Sequence, residues 1–195
     1  MRVIVITAPE FLPDEAAMLT ALLEHGADRI HLRKPGCTAG ELAALIEHLP
    51  VKYYPRISLH DHFGLQARYG IGGIHLNSRN PLVPPGFKGV VSRSCHSLDE
   101  VARHKASVDY VFLSPVFDSL SKAGYRAAFA PGALDEAAKQ GIIDRKVVAL
   151  GGVSAKKMPQ VRAWGFGGIA LLGAVWQSCR TPADAKVVLS GLSGL

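Results

Sequence analysis

At 195 residues, 48% apolar and 19% charged, the chain has ordinary globular composition, enough for one domain over 1–195 that needs no disulfide or structural metal to fold. Three widely spaced cysteines (Cys37, Cys95, Cys179) with no C-x-x-C pair argue for reduced thiols and against a disulfide frame. The net charge of +6 is scattered, with no basic run beyond two and no interleaved aromatics, which argues against a nucleic-acid surface and leaves a solvated basic face or an anionic small substrate.

The first apolar stretch, Met1 to Pro13, is too short and too soon broken by proline to read as a signal peptide, and no apolar run is long enough for a membrane span. The expectation is a cytoplasmic protein with no membrane partner. Val3–Thr7 reads as a strand, followed by a helix from Asp14 that buries Ala17, Leu19, Leu22 and Leu23 and stops at Gly26. Arg29–Arg33 is a second strand, and Thr38 caps a helix over Ala39–His48. Arg56–His60 is a third, with a helix ending at Gly70, and Gly73–Leu76 a fourth. Three prolines and a glycine in 77–88 predict that the next helix is reduced or absent.

Gly89–Arg93 makes strand five, and Ser97 and Glu100 stand in capping-box spacing at the start of a helix to Lys105. Asp109–Ser114 is strand six, followed by a long loop to about Pro131 whose length and Gly124 suggest a lid, then a helix to Gln140. Lys146–Leu150 with its helix Ser154–Ala163, then Gly168–Leu172 and a helical tail, complete the count. Eight apolar strands joined by helix-length crossovers close a (β/α)8 barrel, an α/β fold; a doubly wound open sheet would use similar pieces.

Barrel enzymes place chemistry at the C-terminal ends of their strands. Those ends carry His31 and Arg33, His60 and Asp61, His75 and Asn77, Ser94 and His96, then Ser121 and Lys122 in the long loop. Gly151 and Gly152 follow strand seven, and Gly173 and Ala174 follow strand eight. Glycines at these two adjacent turns let bare amides approach an anion, so they are the candidate phosphate site. A competing reading takes His60-x-His62, with His31 or Asp61, as a zinc site for hydrolysis.

Five segments, in order and across nearly the whole chain, carry a further pattern. They are Ile30-His31-Leu32-Arg33-Lys34, Gly73-Ile74-His75-Leu76, and Ser94-Cys95-His96-Ser97 with Asp99-Glu100. Asp109-Tyr110-Val111 through Ser114-Pro115-Val116-Phe117 to Ser121-Lys122, and Leu150-Gly151-Gly152-Val153, continue the match. Together they resemble the thiamine-phosphate synthase/TenI family, and the resemblance implies a barrel acting on thiazole phosphate. One branch joins hydroxymethylpyrimidine pyrophosphate to the thiazole with Mg²⁺ and releases pyrophosphate. The other, the tautomerase, isomerises a thiazole carboxylate phosphate by proton transfer and requires no cofactor.

Carried over residue by residue, the resemblance makes Arg33 a pyrophosphate ligand, with Lys34 one position early because Pro35 stands where a lysine is expected. Asp61 matches one magnesium-binding aspartate, His60 replaces the asparagine before it, and Asn80 stands where the second aspartate falls. Ser94, Ser121 and Lys122 match substrate-contacting or catalytic positions, and Gly173 replaces a serine. Histidine at position 31 resembles the tautomerase branch. With His31, His60 and His96 expected at the mouth, the residues lean toward a metal-independent tautomerase, with His96 transferring the proton and His31 positioning a carboxylate or acting as a second shuttle. The synthase is the alternative, and a non-catalytic thiazole-phosphate sensor the remoter one. The sequence leaves a homodimer open.

Overall fold

The computed structural model describes residues 1–118, 128–130 and 132–193. Eight parallel strands close into a barrel in chain order: β1 (Arg2–Ile6), β2 (Arg29–Leu32), β3 (Ile57–Leu59), β4 (Gly73–Leu76), β5 (Val90–Cys95), β6 (Tyr110–Leu113), β7 (Val147–Leu150) and β8 (Gly168–Leu171). Closure is the β8–β1 ladder, which pairs Arg2 with Gly168 through Val5 with Leu171. The outer helices are α1 (Glu15–Glu24), α2 (Ala39–Glu47), α3 (Gly64–Tyr69), α4 (Leu98–His104), α5 (Ala133–Lys139), α6 (Met158–Ala163), α7 (Gly173–Trp176) and α8 (Asp184–Ser193). No helix lies between β4 and β5, as the prolines of that segment require.

Apolar side chains on the outer strand faces, such as Val5, Ile30, Leu32, Leu59 and Ile74, pack under the helices in one large core. A second, smaller cluster fills part of the barrel's interior with Ile4, Ile6, Tyr110, Phe112, Val148 and Ala170. The α1 stripe buries Leu19, Leu22 and Leu23 as expected, with Met18 buried in place of the exposed Ala17.

The caps show how local sequence sets the helix starts. Thr38 and Glu41 make a complete capping box on α2: Thr38 Oγ1 accepts from Glu41 N at 3.2 Å, and Glu41 Oε2 accepts from Thr38 N at 2.8 Å. At α4, Ser97 Oγ accepts from Glu100 N at 3.1 Å, but the Glu100 carboxylate reaches past it to His96 N at 2.6 Å. The expected box therefore ties down the strand-end residue before the cap, which fixes the backbone of His96.

Candidate active site

A cavity of about 570 Å³ opens at the C-terminal ends of the strands. One wall, above β7 and β8, is Gly151, Gly152, Gly173 and Ala174. Gly151 and Gly152 sit at φ +94° and +64°, and a Cβ on Gly152 would collide with the Asp118 carbonyl and Phe117. The amides of Gly152, Gly173 and Ala174 donate to no backbone acceptor among the described residues. They form a surface of bare N–H groups suited to phosphate oxygens.

The opposite wall is cationic. Arg33 follows β2, Arg79 lies in the loop after β4, and Arg93 belongs to β5; all three line the cavity. The Arg33 side chain donates to no acceptor among the described residues, and Arg93 donates only to the Pro81 carbonyl, at 3.3 Å. His60, Ser94, His96, Glu100 and Ser114 also line the cavity, with His96 Nδ1 3.2 Å from the Ser114 carbonyl oxygen.

Beneath this wall lies a buried polar network. His31 Nδ1 is 2.9 Å from His60 Nε2, and His31 Nε2 is 2.7 Å from the Tyr110 hydroxyl. His75 bridges two serines, with Nδ1 to Ser92 Oγ and Nε2 to Ser94 Oγ, both at 2.8 Å. Because Ser92 Oγ also donates to the Ile74 carbonyl, it accepts from His75 Nδ1–H. His75 Nε2 is then an acceptor for the Ser94 hydroxyl hydrogen, and Ser94 offers lone pairs to the cavity. Burial pushes all three imidazoles toward their neutral forms; for His75, with Arg33 and Arg93 nearby, the pKa is pushed down to about 3.

The residues expected at the mouth thus divide. Arg33, His60, Ser94 and His96 line the cavity together with Gly151, Gly152, Gly173 and Ala174. His31 does not reach it: the residue is fully buried one layer down, held between His60 and Tyr110. Lys34 points out of the barrel, where its Nζ pairs with both carboxylate oxygens of Glu15 at 2.6 and 2.7 Å and donates to the Ala8 and Glu10 carbonyls. That buried pair leaves Lys34 no donor for a substrate. Ser121 and Lys122, and the Gly124 of the expected lid, lie outside the described residues.

Asp61 sits beside the cavity, tied to the loop after β4. Arg79 Nη2 lies 3.0 Å from its Oδ2, and Asn80 Nδ2 donates to its Oδ1 at 2.8 Å. Arg79 and Arg93 were not picked out as site residues in the sequence, because the loop of Arg79 reads mainly as a missing helix. The H-x-H reading fails on geometry: His62, at φ +55°, turns its Nε2 to the Cys37 carbonyl at 2.7 Å, away from His60. The ring nitrogens of His31, His60 and His75 do lie within 4.8 Å of one another. They are bound instead to each other, to Tyr110 and to the two serines, a satisfied hydrogen-bond network.

The family model described as thiamine monophosphate synthase matches residues 3–175. The chain belongs to that family. A thiamine-phosphate synthase of Herpetosiphon aurantiacus is 29% identical over 180 residues, 86% of each chain. A thiamine phosphate pyrophosphorylase from Bacteroides thetaiotaomicron superposes with a TM-score of 0.86 at 38% identity, covering 99% of this chain and 98% of that one. One from Pyrococcus furiosus gives 0.70 at 20% identity over 99% and 96%, which shows the shared fold. As a member of the thiamine monophosphate synthase family, the protein is an enzyme of thiamine biosynthesis. The relatives' names favour the coupling reaction, and the lean toward tautomerase finds no support in them.

Proposed function

We propose that this protein is a thiamine-phosphate synthase, joining hydroxymethylpyrimidine pyrophosphate to thiazole phosphate. One observation carries the reading: a single cavity has two walls of different chemistry, backbone amides on one side and three guanidinium groups on the other, each suited to an anion. The amide wall of Gly151, Gly152, Gly173 and Ala174 suits the single phosphate of the thiazole. The wall of Arg33, Arg79 and Arg93 suits the pyrophosphate, whose charge rises as it leaves.

In the reaction, a nucleophilic atom of the thiazole forms a bond to the pyrimidine's methylene carbon. The bond from that carbon to the pyrophosphate oxygen breaks, and both its electrons leave with pyrophosphate. The two walls would hold the two substrates facing each other, so much of the rate would come from proximity and from guanidinium charge at the departing group. Ser94, oriented by His75, offers an acceptor for an N–H of the pyrimidine. His96 would contact substrate from the rim, its backbone fixed by Glu100. His31 would act only through His60, as a positioning residue.

An isomerase working on one thiazole carboxylate phosphate would have a single carboxylate to set against three arginines. The deciding test incubates the protein with both substrates and measures pyrophosphate release. Stoichiometric release with thiamine phosphate formation is the expected result. Isomerisation of thiazole carboxylate phosphate without any coupling would overturn it.

A further inference from the structure

We propose that the pyrophosphate half of this cavity works without a divalent cation, with the guanidinium of Arg79 occupying the role a metal would fill. The inference rests on the coupling reaction proposed above. It begins from a misfit between the residues present and the Mg²⁺ that the family resemblance implies. Magnesium takes an octahedron of oxygen ligands, typically one or two carboxylates with waters and substrate phosphates. Among the described residues the carboxylates near it are Asp61, both of whose oxygens already accept hydrogen bonds, and Glu100, which lines the cavity but turns its Oε2 to the His96 amide.

Asp61 Oδ1 accepts from Asn80 Nδ2 at 2.8 Å and from Arg79 Nε at 3.2 Å, and Oδ2 accepts from Arg79 Nη2 at 3.0 Å. The orientation of Asn80 follows from its partners. Its Nδ2 also donates to the His60 carbonyl at 3.1 Å, so both neighbours are acceptors and the amide must present N–H groups to Asp61. Asn77 offers no free oxygen either, since its Oδ1 accepts from the Arg79 and Asn80 amides at 2.9 and 3.1 Å. A cation placed here would meet N–H donors and a guanidinium where it needs lone pairs.

The charges lead to the same conclusion. Two carboxylates reach neutrality by taking up a dication. Asp61, Asn80 and Arg79 together are neutral as they stand. The guanidinium is also held as a metal would be, anchored by a carboxylate on one edge and open on the other. Nε and Nη2 face Asp61, while Nη1 makes no hydrogen bond among the described residues and Arg79 lines the cavity. A planar fork fixed in this way can pair with two phosphate oxygens at once.

The test measures pyrophosphate binding by titration calorimetry, in EDTA and in excess Mg²⁺, with turnover of both substrates followed under the same two conditions. Binding in EDTA, at an affinity that Mg²⁺ does not improve, is expected; binding that appears only with Mg²⁺ would overturn the proposal. Arg79→Gln, at a side chain that is half exposed, should keep the wild-type melting temperature and lose at least tenfold in pyrophosphate affinity in EDTA. Unchanged affinity in that variant would also overturn it. Turnover confined to Mg²⁺ would leave the coupling reaction standing and remove the cation-free site. Absence of coupling under both conditions would remove the reaction, while the calorimetry still decides the binding claim.

Discussion

Strands β1, β6, β7 and β8 send Ile4, Ile6, Tyr110, Phe112, Val148 and Ala170 into the barrel, whereas β2 to β5 and the residue that follows β3 send His31, Ser58, His60, His75 and Ser92. The first half is packed like an ordinary core and is held by burial of apolar area. The second half is held by hydrogen bonds among groups that lose water on folding, and each contributes only while every partner is present. The division continues upward to the cavity. The apolar half carries the glycine wall, and the polar half carries Arg33, Arg79 and Arg93. The histidine and serine layer beneath the arginines stays neutral, so it adds no competing positive charge under the anion site.

The most severe break in this arrangement lies at the seam between the halves. Phe112 is 1% exposed, and its ring centroid lies 4.8 Å from that of His31 and 4.7 Å from that of His75. Phe112→Ala should cost about 3–5 kcal/mol, through lost apolar burial and a cavity beside the imidazoles. Urea denaturation measures it directly. A loss under about 1 kcal/mol would show that the two halves do not depend on each other through this ring.

Removing one member of the polar half should cost less, and for a different reason. His31→Leu leaves His60 Nε2 without its partner in a dry interior, while the Tyr110 hydroxyl loses His31 but keeps Ser58 and Ser92 beside it. One orphaned group predicts a loss of about 1–3 kcal/mol despite the gain in hydrophobicity. If His31→Leu proved neutral in denaturation, water would be entering the barrel and the interior would not be the closed network described here.

How far each half could be read in the sequence follows from the same geometry. In Arg29-Ile30-His31-Leu32-Arg33 the polar residues alternate with apolar ones, and alternation does place Arg29, His31 and Arg33 on the inner face. What alternation does not give is depth. Arg29 donates to Pro55, Ile57 and Ser58 low in the barrel, His31 lies in the middle layer, and only Arg33 reaches the cavity. The same rule turns Lys34 outward to Glu15, a consequence of strand period that its likeness to a substrate-binding position obscured. The glycine turns were legible because few other reasons place paired glycines after two adjacent strands. Arg79 was not, because its position depends on how a helix-free loop folds back on Asp61, and no periodicity encodes that.

The polar half should also make the fold sensitive to acid. His75 is neutral in the native protein with its pKa near 3, while in the unfolded chain it titrates near the ordinary 6.5. Below about 6.5 the unfolded state therefore takes up a proton that the native state refuses, and stability falls as pH falls, levelling off near pH 3. Between about pH 7.5 and pH 5 this one residue should cost about 2 kcal/mol, with His31 shifted in the same direction. His75→Gln should flatten the pH dependence of the denaturation midpoint by that amount. An unaltered slope would mean that His75 is not the group responsible.

The smallest expected effect separates the two walls of the cavity. Arg93 and Gly152 face the same space from opposite halves of the barrel, so substitutions there should divide anion binding by type. Arg93→Gln removes one guanidinium at the surface and should change stability by less than about 0.5 kcal/mol. Its pyrophosphate affinity should fall about tenfold, or about 1.4 kcal/mol, while affinity for inorganic phosphate stays at the wild-type value. Gly152→Ala should show the converse, because the new methyl group collides with the Asp118 carbonyl and disturbs the amide wall without touching the arginines. Competition titrations with the two anions on both variants measure the separation. If both substitutions weakened both anions equally, the cavity would contain one diffuse anion site, and the pairing of an apolar half with a phosphate wall and a polar half with a pyrophosphate wall would not hold.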